Sequence, residues 1–166
     1  MPTITPFLWF DDNAEQAAEL YTSIFPEASI ISISRYGEGG PAPAGTAMTV
    51  NFWLQGLEFT ALNGGPQYRF TEAISFVVPC ETQEEVDEYW AKLSEGGEEG
   101  PCGWRKDRFG LSWQIVPSIL EELLASPDPV KAQNAMKAML QMSKLDIEGL
   151  KRAASEHTAV EADAIR

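Results

Sequence analysis

The order strand, helix, strand, strand, strand can be read twice along this chain, and a repeated supersecondary unit restricts the possible folds more than any other feature present. In the first copy, residues 3–10 alternate well enough for a strand, and Asp11-Asp12-Asn13 offers N-cap oxygens to a helix over 14–25. Ala17, Leu20, Tyr21 and Ile24 form its apolar stripe. After Pro26 the β-branched run Ile30-Ile31-Ser32-Ile33-Ser34 reads as a second strand, and the stretch 37–45, with Pro41 and Pro43, reads as a loop. Residues 46–54 set Met48, Val50, Phe52 and Leu54 against Thr49, Asn51 and Trp53. A Gln55-Gly56 turn then returns the chain through 57–62 as a hairpin.

The second copy opens at Ala73, with a strand over 74–78 and a helix over 82–94 that buries Val86, Tyr89, Trp90 and Leu93. Thr82 and Glu85 have capping-box spacing. Short strands follow and end at Val116; in the last, Leu111, Trp113 and Ile115 share one face and Ser112, Gln114 and Val116 the other. Neither module covers both faces of its own sheet, so the two are expected to pair around a shared cleft. The expected fold is α+β: two βαβββ modules, 3–63 and 73–117, forming a curved mixed sheet within a domain of residues 1–117. Residues 118–156 read as a helical extension of that domain, with helices over 118–124, 129–142 and 146–155. The stripe Val130, Ala132, Met136, Met139, Leu140 and Met142 reads as packing surface, and 157–166 as a frayed tail.

Three segments are more specific than the pattern: Cys102-Gly103-Trp104-Arg105-Lys106-Asp107-Arg108-Phe109-Gly110-Leu111-Ser112-Trp113-Gln114-Ile115-Val116-Pro117, Ala61-Leu62-Asn63-Gly64-Gly65-Pro66, and Ile4-Thr5-Pro6-Phe7-Leu8-Trp9-Phe10-Asp11. Together they resemble the PhnB-like branch of the vicinal oxygen chelate superfamily, whose members include glyoxalase I, bleomycin and fosfomycin resistance proteins and extradiol dioxygenases. The resemblance runs from about residue 3 to 154. It implies the paired βαβββ architecture. Modules in this superfamily often pair between subunits and otherwise within one chain, which favours a homodimer, the commonest soluble assembly on general grounds. Some members of the branch carry a demethylubiquinone methyltransferase label.

In the metal-dependent relatives, one His, Glu or Gln from each of four strands converges on a divalent ion. The resemblance puts Thr5, Thr60, Ala73 and Gln114 at those places, and only Gln114 is of a ligand type. One amide oxygen does not repay the dehydration of such an ion, so no metal cofactor is expected. The alternative is a glyoxalase-like or dioxygenase-like enzyme in which Gln114 and an acidic residue, from Glu58, Glu72 or Asp107, hold the ion. The single histidine, His157, falls in the tail.

Without a histidine in the fold, neither Cys102 beside Arg105 and Lys106 nor Ser112 has a general base. Cys102 reads as a small buried residue and Ser112 as a hydrogen-bonding partner of Gln114, and no catalytic residue is assigned. Gly37-Glu38-Gly39-Gly40-Pro41-Ala42 follows a strand, yet Pro41 and Pro43 forbid the helix whose N-terminus must hold a pyrophosphate, which argues against the methyltransferase label. Asn63 reads as making a local side-chain bond in its turn, and Lys106 with Asp107 as a hairpin ion pair or a gate. The cleft candidates for ligand binding are Thr5, Phe7, Trp9, Asn51, Trp53, Thr60, Trp104, Ser112 and Gln114, with Phe109 near the mouth. They suit a flat or apolar small molecule. The competing expectation is that the aromatics fill a closed core and the chain is an interaction module.

Composition narrows the partners. With 44% hydrophobic and 22% charged residues the chain is expected to be an ordinary soluble globular protein, and a net charge of −13 repels nucleic acid and anionic lipid surfaces. No spanning apolar run or leader pattern is visible, so the expected location is cytoplasmic. Cys80 and Cys102 read as free thiols.

Overall fold

The structure is a computed structural model that describes residues 2–156. The fold is α+β, in two compact units that divide after Thr71.

Unit one comprises β1 (Phe7–Phe10), α1 (Ala14–Ile24), β2 (Ala28–Arg35), β3 (Ala47–Leu54) and β4 (Leu57–Asn63). The sheet order is β1-β4-β3-β2, with β1 parallel to β4 and the other pairs antiparallel. Alternation puts Leu8, Phe10, Val50, Phe52, Phe59 and Ala61 on one face, where they are buried with Ala14, Ala17, Ala18 and Tyr21 of α1. Phe52 stacks on Phe59 with ring centroids 5.2 Å apart. At the β3–β4 hairpin Gln55 and Gly56 have φ of 45° and 93°, the positive values that a two-residue turn matched to strand twist requires.

Three expectations need correction in this unit. β1 is four residues long, because Pro6 has no N–H to give a ladder, and Thr5 lies exposed ahead of it. The N-terminus of α1 is not capped by the side chain of Asn13. Asn63, buried at the end of β4, accepts from Ala14 N at 2.8 Å and donates to Ala47 O at 3.0 Å. Its side chain thus makes distant bonds instead of a local one.

Unit two comprises β5 (Ser75–Cys80), α2 (Gln83–Ser94), β6 (Glu98–Glu99), β7 (Trp104–Lys106), β8 (Ser112–Pro117), α3 (Ser118–Leu124), α4 (Pro129–Leu140) and α5 (Ile147–Ser155). Its sheet repeats the first topology, β5-β8-β7-β6, with β5 parallel to β8. Pro79 is tolerated because β5 is an edge strand. Val78, Cys80, Trp113 and Ile115 are buried with Val86, Trp90 and Leu93 of α2. Half of the capping box forms: Thr82 Oγ1 accepts from Glu85 N at 3.2 Å, while the Glu85 carboxylate accepts from Glu81 N, one residue before the cap, at 2.7 Å.

The extension α3–α5 has its own core of Leu120, Leu123, Ala135, Leu145, Leu150 and Ala154. Of the stripe read from the sequence, Met139 of α4 and Met142 just beyond its end pack inward with Ala135 and Ala138, whereas Val130, Met136 and Leu140 are exposed. Small alanines let neighbouring helices approach, and so they win the inward face despite their weak hydropathy. Backbone bonds tie this extension to the sheet: Cys102 N to Met142 O and Gly103 N to Ser143 O, both 2.8 Å. Gln83 joins in, donating to Leu145 O at 3.1 Å and accepting from Ile147 N at 2.8 Å. Cys102 and Gly103 both have positive φ, and a Cβ on Gly103 would stand 2.7 Å from Ile115 O. No helix among the described residues is long and apolar enough to cross a membrane. His157 and the expected tail lie outside the described residues.

Candidate functional site

In unit one, the sheet face away from α1 carries Phe7 and Trp9 of β1, Thr60 of β4, and Asn51 and Trp53 of β3. Asn51 and Thr60 are cross-strand partners, and the Thr60 hydroxyl donates to Asn51 Oδ1 at 3.0 Å. Trp9 Nε1 donates to Gly65 O at 2.9 Å, and its ring meets Tyr68 edge to face at 4.9 Å. A Cβ on Gly64 would fall 2.3 Å from the Trp9 ring, so glycine is required there for the indole to lie down. These polar groups are satisfied by one another.

The corresponding face of unit two is differently furnished. One register row runs Ser75, Ser112, Lys106, Glu98, and the next runs Val77, Gln114, Trp104. Gln114 Nε2 donates to Ser75 Oγ at 2.8 Å, and not to Ser112 as the sequence suggests. Lys106 pairs closely with Glu72 and lies 3.8 Å from Glu98. The hydrogen bond between Lys106 and Glu72 holds the Glu72 carboxyl below its usual range and the Lys106 ammonium above its own.

Beside this row is a cavity of about 340 Å³, lined by Trp104, Lys106, Ser112, Pro101, Glu72 and Glu98. Ser112 is 1% exposed, and its buried Oγ has no hydrogen-bond partner among the described residues. An unsatisfied buried hydroxyl costs about 1–3 kcal/mol, so it is an uncommon thing for a fold to retain. Arg105 and Glu99 also contribute to the lining. Arg105 is buried with its guanidinium 4.9 Å over Trp90, and its Nη1 lies 3.3 Å from Glu99 Oε1, a charge contact without an aligned hydrogen bond.

Asp107 does not pair with Lys106. It is buried, and its carboxylate accepts from Phe109 N at 2.8 Å, Leu111 N at 3.1 Å and Trp113 Nε1 at 2.9 Å, which fixes the turn between β7 and β8. Phe109 is held in that turn, with Arg108 over its ring at 5.0 Å. Burial pushes the Cys80 thiol up to about 12, with Glu85 and Glu81 adding to it, so this cysteine is not a nucleophile near neutral pH. Cys102 is half-buried in the turn before β7.

Of the residues expected to form a site, Trp104 and Ser112 meet at the cavity, and Gln114 lies beside them on the same face. Phe7, Trp9, Asn51, Trp53 and Thr60 share the face in unit one, and Thr5 is off the strand. Ser75 and Glu98 were not legible as participants. Their only signal is cross-strand register, which a single sequence does not reveal.

The donors present do not fit a divalent ion. Glu72 is engaged by Lys106, Glu99 lies against Arg105, and Asp107 is held by two backbone N–H groups and an indole, so Glu98 is left as a single carboxylate among neutral hydroxyl and amide groups. Glu58 is exposed opposite Trp53, and among the described residues no three of His, Cys, Asp and Glu gather as a metal site.

Residues 2–116 match the family model described as 3-demethylubiquinone-9 3-methyltransferase. Among solved structures, the PhnB protein from Bacillus cereus is 38% identical, with a TM-score of 0.64 over 70% of this chain and 100% of that one. Protein PA1353 from Pseudomonas aeruginosa is 20% identical, with a TM-score of 0.58 over 70% of this chain and 98% of its own. The fosfomycin resistance protein FosX from Mesorhizobium loti is 14% identical, with a TM-score of 0.54 over 75% of this chain and 98% of that chain. The last two likenesses speak for the fold alone. No curated protein matches.

Proposed function

The chain belongs to the 3-demethylubiquinone-9 3-methyltransferase family, in the PhnB-like branch of the vicinal oxygen chelate superfamily, and from that premise we propose that it binds a small molecule, without a metal, in the cavity of unit two. One observation carries the reading: the buried, unpartnered hydroxyl of Ser112 at a cavity of about 340 Å³ walled by Trp104. A ligand's polar group offsets the cost of that hydroxyl, and Trp104 with Pro101 gives its apolar body a surface. The family's name is not carried over as an activity. The glycine-rich stretch 37–42 leads through Pro41 and Pro43 into β3 and not into a helix N-terminus, so it offers no cradle for a nucleotide-like cofactor.

A homodimer in the cytoplasm completes the proposal, and light scattering of the eluting full chain should then give twice 18.3 kDa. The binding reading is tested by a thermal-shift screen of aromatic and apolar small molecules, run alongside elemental analysis of protein purified without chelator. A compound that raises the melting temperature of the wild type, but neither of Ser112→Ala nor of Trp104→Ala, supports it. About one equivalent of a divalent metal per chain, retained after removal of 157–166, would defeat the metal-free part and favour the glyoxalase-like or dioxygenase-like alternative.

A further inference from the structure

Among the described residues, three buried side-chain polar atoms lack a hydrogen-bond partner: Nε and Nη1 of Arg105 and Oγ of Ser112. Both residues line the cavity of unit two. All three atoms carry hydrogen to donate, and a guanidinium has no acceptor at all, so what the cavity lacks is acceptors. We infer that its ligand carries an oxyanion, a carboxylate in the simplest case, that accepts from Arg105, and a second, uncharged oxygen that accepts from Ser112. This inference rests on the cavity being the binding site and goes beyond it by naming the ligand class.

The chain does not supply these acceptors itself. Arg105 is 3% exposed, and its guanidinium lies 4.9 Å over the Trp90 ring. That contact stabilises the charge through the face of the ring, and it leaves the Nε and Nη1 donors unanswered. Glu99 comes within 3.3 Å of Nη1 without an aligned hydrogen bond, and its side chain is 61% exposed. It is a loose counterion that a better-placed carboxylate can displace into water. A missing partner costs more on a buried charged group than on a neutral one, which makes Arg105 the stronger mark and Ser112 the second, independent one. Glu72 and Glu98 do not bar an anion, because their side chains are 61% and 78% exposed and solvent screens them, whereas the buried guanidinium is screened far less. Alternation makes the oxygens two and not one. Arg105 stands opposite Trp113 and Ser112 opposite Lys106, on successive rows of the β7–β8 ladder, so their side chains leave it on different sides.

Three compounds on one ring system separate these contributions: 6-hydroxy-2-naphthoate; its amide, which removes the charge; and 2-naphthoate, which removes the hydroxyl. Dissociation constants are read by ligand-observed NMR titration of the full chain at low and at high salt. The hydroxynaphthoate should bind about tenfold or more tighter than its amide, and the gap should stay above about threefold at high salt because the cation is buried. Loss of the hydroxyl should weaken binding by about threefold in the wild type and leave Ser112→Ala unaffected. Arg105→Gln should close the gap between acid and amide. Because that substitution also removes the contact with Trp90, Glu99→Gln, at an exposed side chain, gives an independent reading. It frees the guanidinium and should tighten the acid by about threefold or more with no gain for the amide, and by more than Glu98→Gln, which removes the same charge away from Arg105. Acid and amide binding equally, with Ser112→Ala still weakening both, would overturn the inference and leave the pocket standing. A gap that vanishes in salt, or equal gains from the two glutamate variants, would overturn it as well. If none of the three compounds binds, the inference falls, and the pocket reading is decided separately by the thermal-shift screen.

Discussion

The two units share one strand order and one pattern of parallel and antiparallel pairs, yet equivalent positions on the faces turned away from α1 and α2 end differently. Thr60 faces Phe7 on one side and Asn51 on the other; Ser112 faces Ser75 and Lys106. The Thr60 hydroxyl is satisfied by Asn51 at 3.0 Å, whereas the Ser112 hydroxyl has no such partner, because Lys106 turns to Glu72 and Glu98. Strand length accompanies the difference. β2 and β3 have eight residues each, while β6 and β7 have two and three. A long hairpin continues the ladder past its neighbour and supplies partners; a short one stops and leaves room beside the strand. The same topology therefore carries a bonded Thr60–Asn51 pair in one unit and an orphaned hydroxyl beside a cavity in the other.

The comparison is broken most severely at Asp107, the acceptor that holds the short β7–β8 turn. Asp107→Ala strands Phe109 N, Leu111 N and Trp113 Nε1, and should cost about 3 kcal/mol in urea denaturation. Hydrogen exchange should show the loss confined to unit two. The counterpart in unit one is Asn63→Ala, which removes the acceptor for Ala14 N and the donor for Ala47 O and should cost about 2 kcal/mol, with faster exchange at the start of α1.

The sharpest form of the comparison is a pair of substitutions of opposite sign. Asn51→Ala orphans the Thr60 hydroxyl and should destabilise by about 1 kcal/mol, while Ser112→Ala removes a hydroxyl that is already orphaned and should stabilise by a similar amount. Equal signs in the two denaturation curves would erase the distinction between the faces. The smallest effect belongs to the Glu72–Lys106 pair, which is exposed and contributes little to stability. Its signature is in titration. The Glu72 carboxyl is depressed in the folded state, so the pairing is complete above the ordinary carboxylate range and is lost as pH falls through the lowered value. Lys106→Met should move the Glu72 midpoint, followed by carbon NMR, back up toward the ordinary carboxylate range.

The α+β class and the repeated order of elements were legible because periods of 3.6 and 2 are written plainly in α1, α2, β3 and β8. The facing of Ser112 and Gln114 followed from alternation alone. What escaped the sequence was anything set by distant partners. Asp11-Asp12-Asn13 adjoin α1 and look like its cap, yet the residue that meets Ala14 N is Asn63, 49 positions on. Ser112 and Gln114 look like a bonded pair because they are two apart, but the long Gln114 side chain reaches diagonally across the strands to Ser75, the residue opposite Ser112. Of the cavity residues, Trp104 and Ser112 were singled out, and Glu98 was not, since only the β6–β7 pairing brings it near. The stripe marks Met139 and Met142 correctly but misses Ala135 and Ala138, because alanines carry too little hydropathy to mark a face.

The turn that delivers Trp104 to the cavity is held from outside the region that matches the family. Cys102 N and Gly103 N donate to Met142 O and Ser143 O, and Gly103 sits against Leu145, all beyond the last matched residue at 116. A boundary drawn by similarity is therefore not a boundary of mechanical support. Cutting the chain there would unpair two amides just before the aromatic wall. Substitutions at Met142 or Leu145 should therefore displace the Trp104 wall while every residue lining the cavity stays the same.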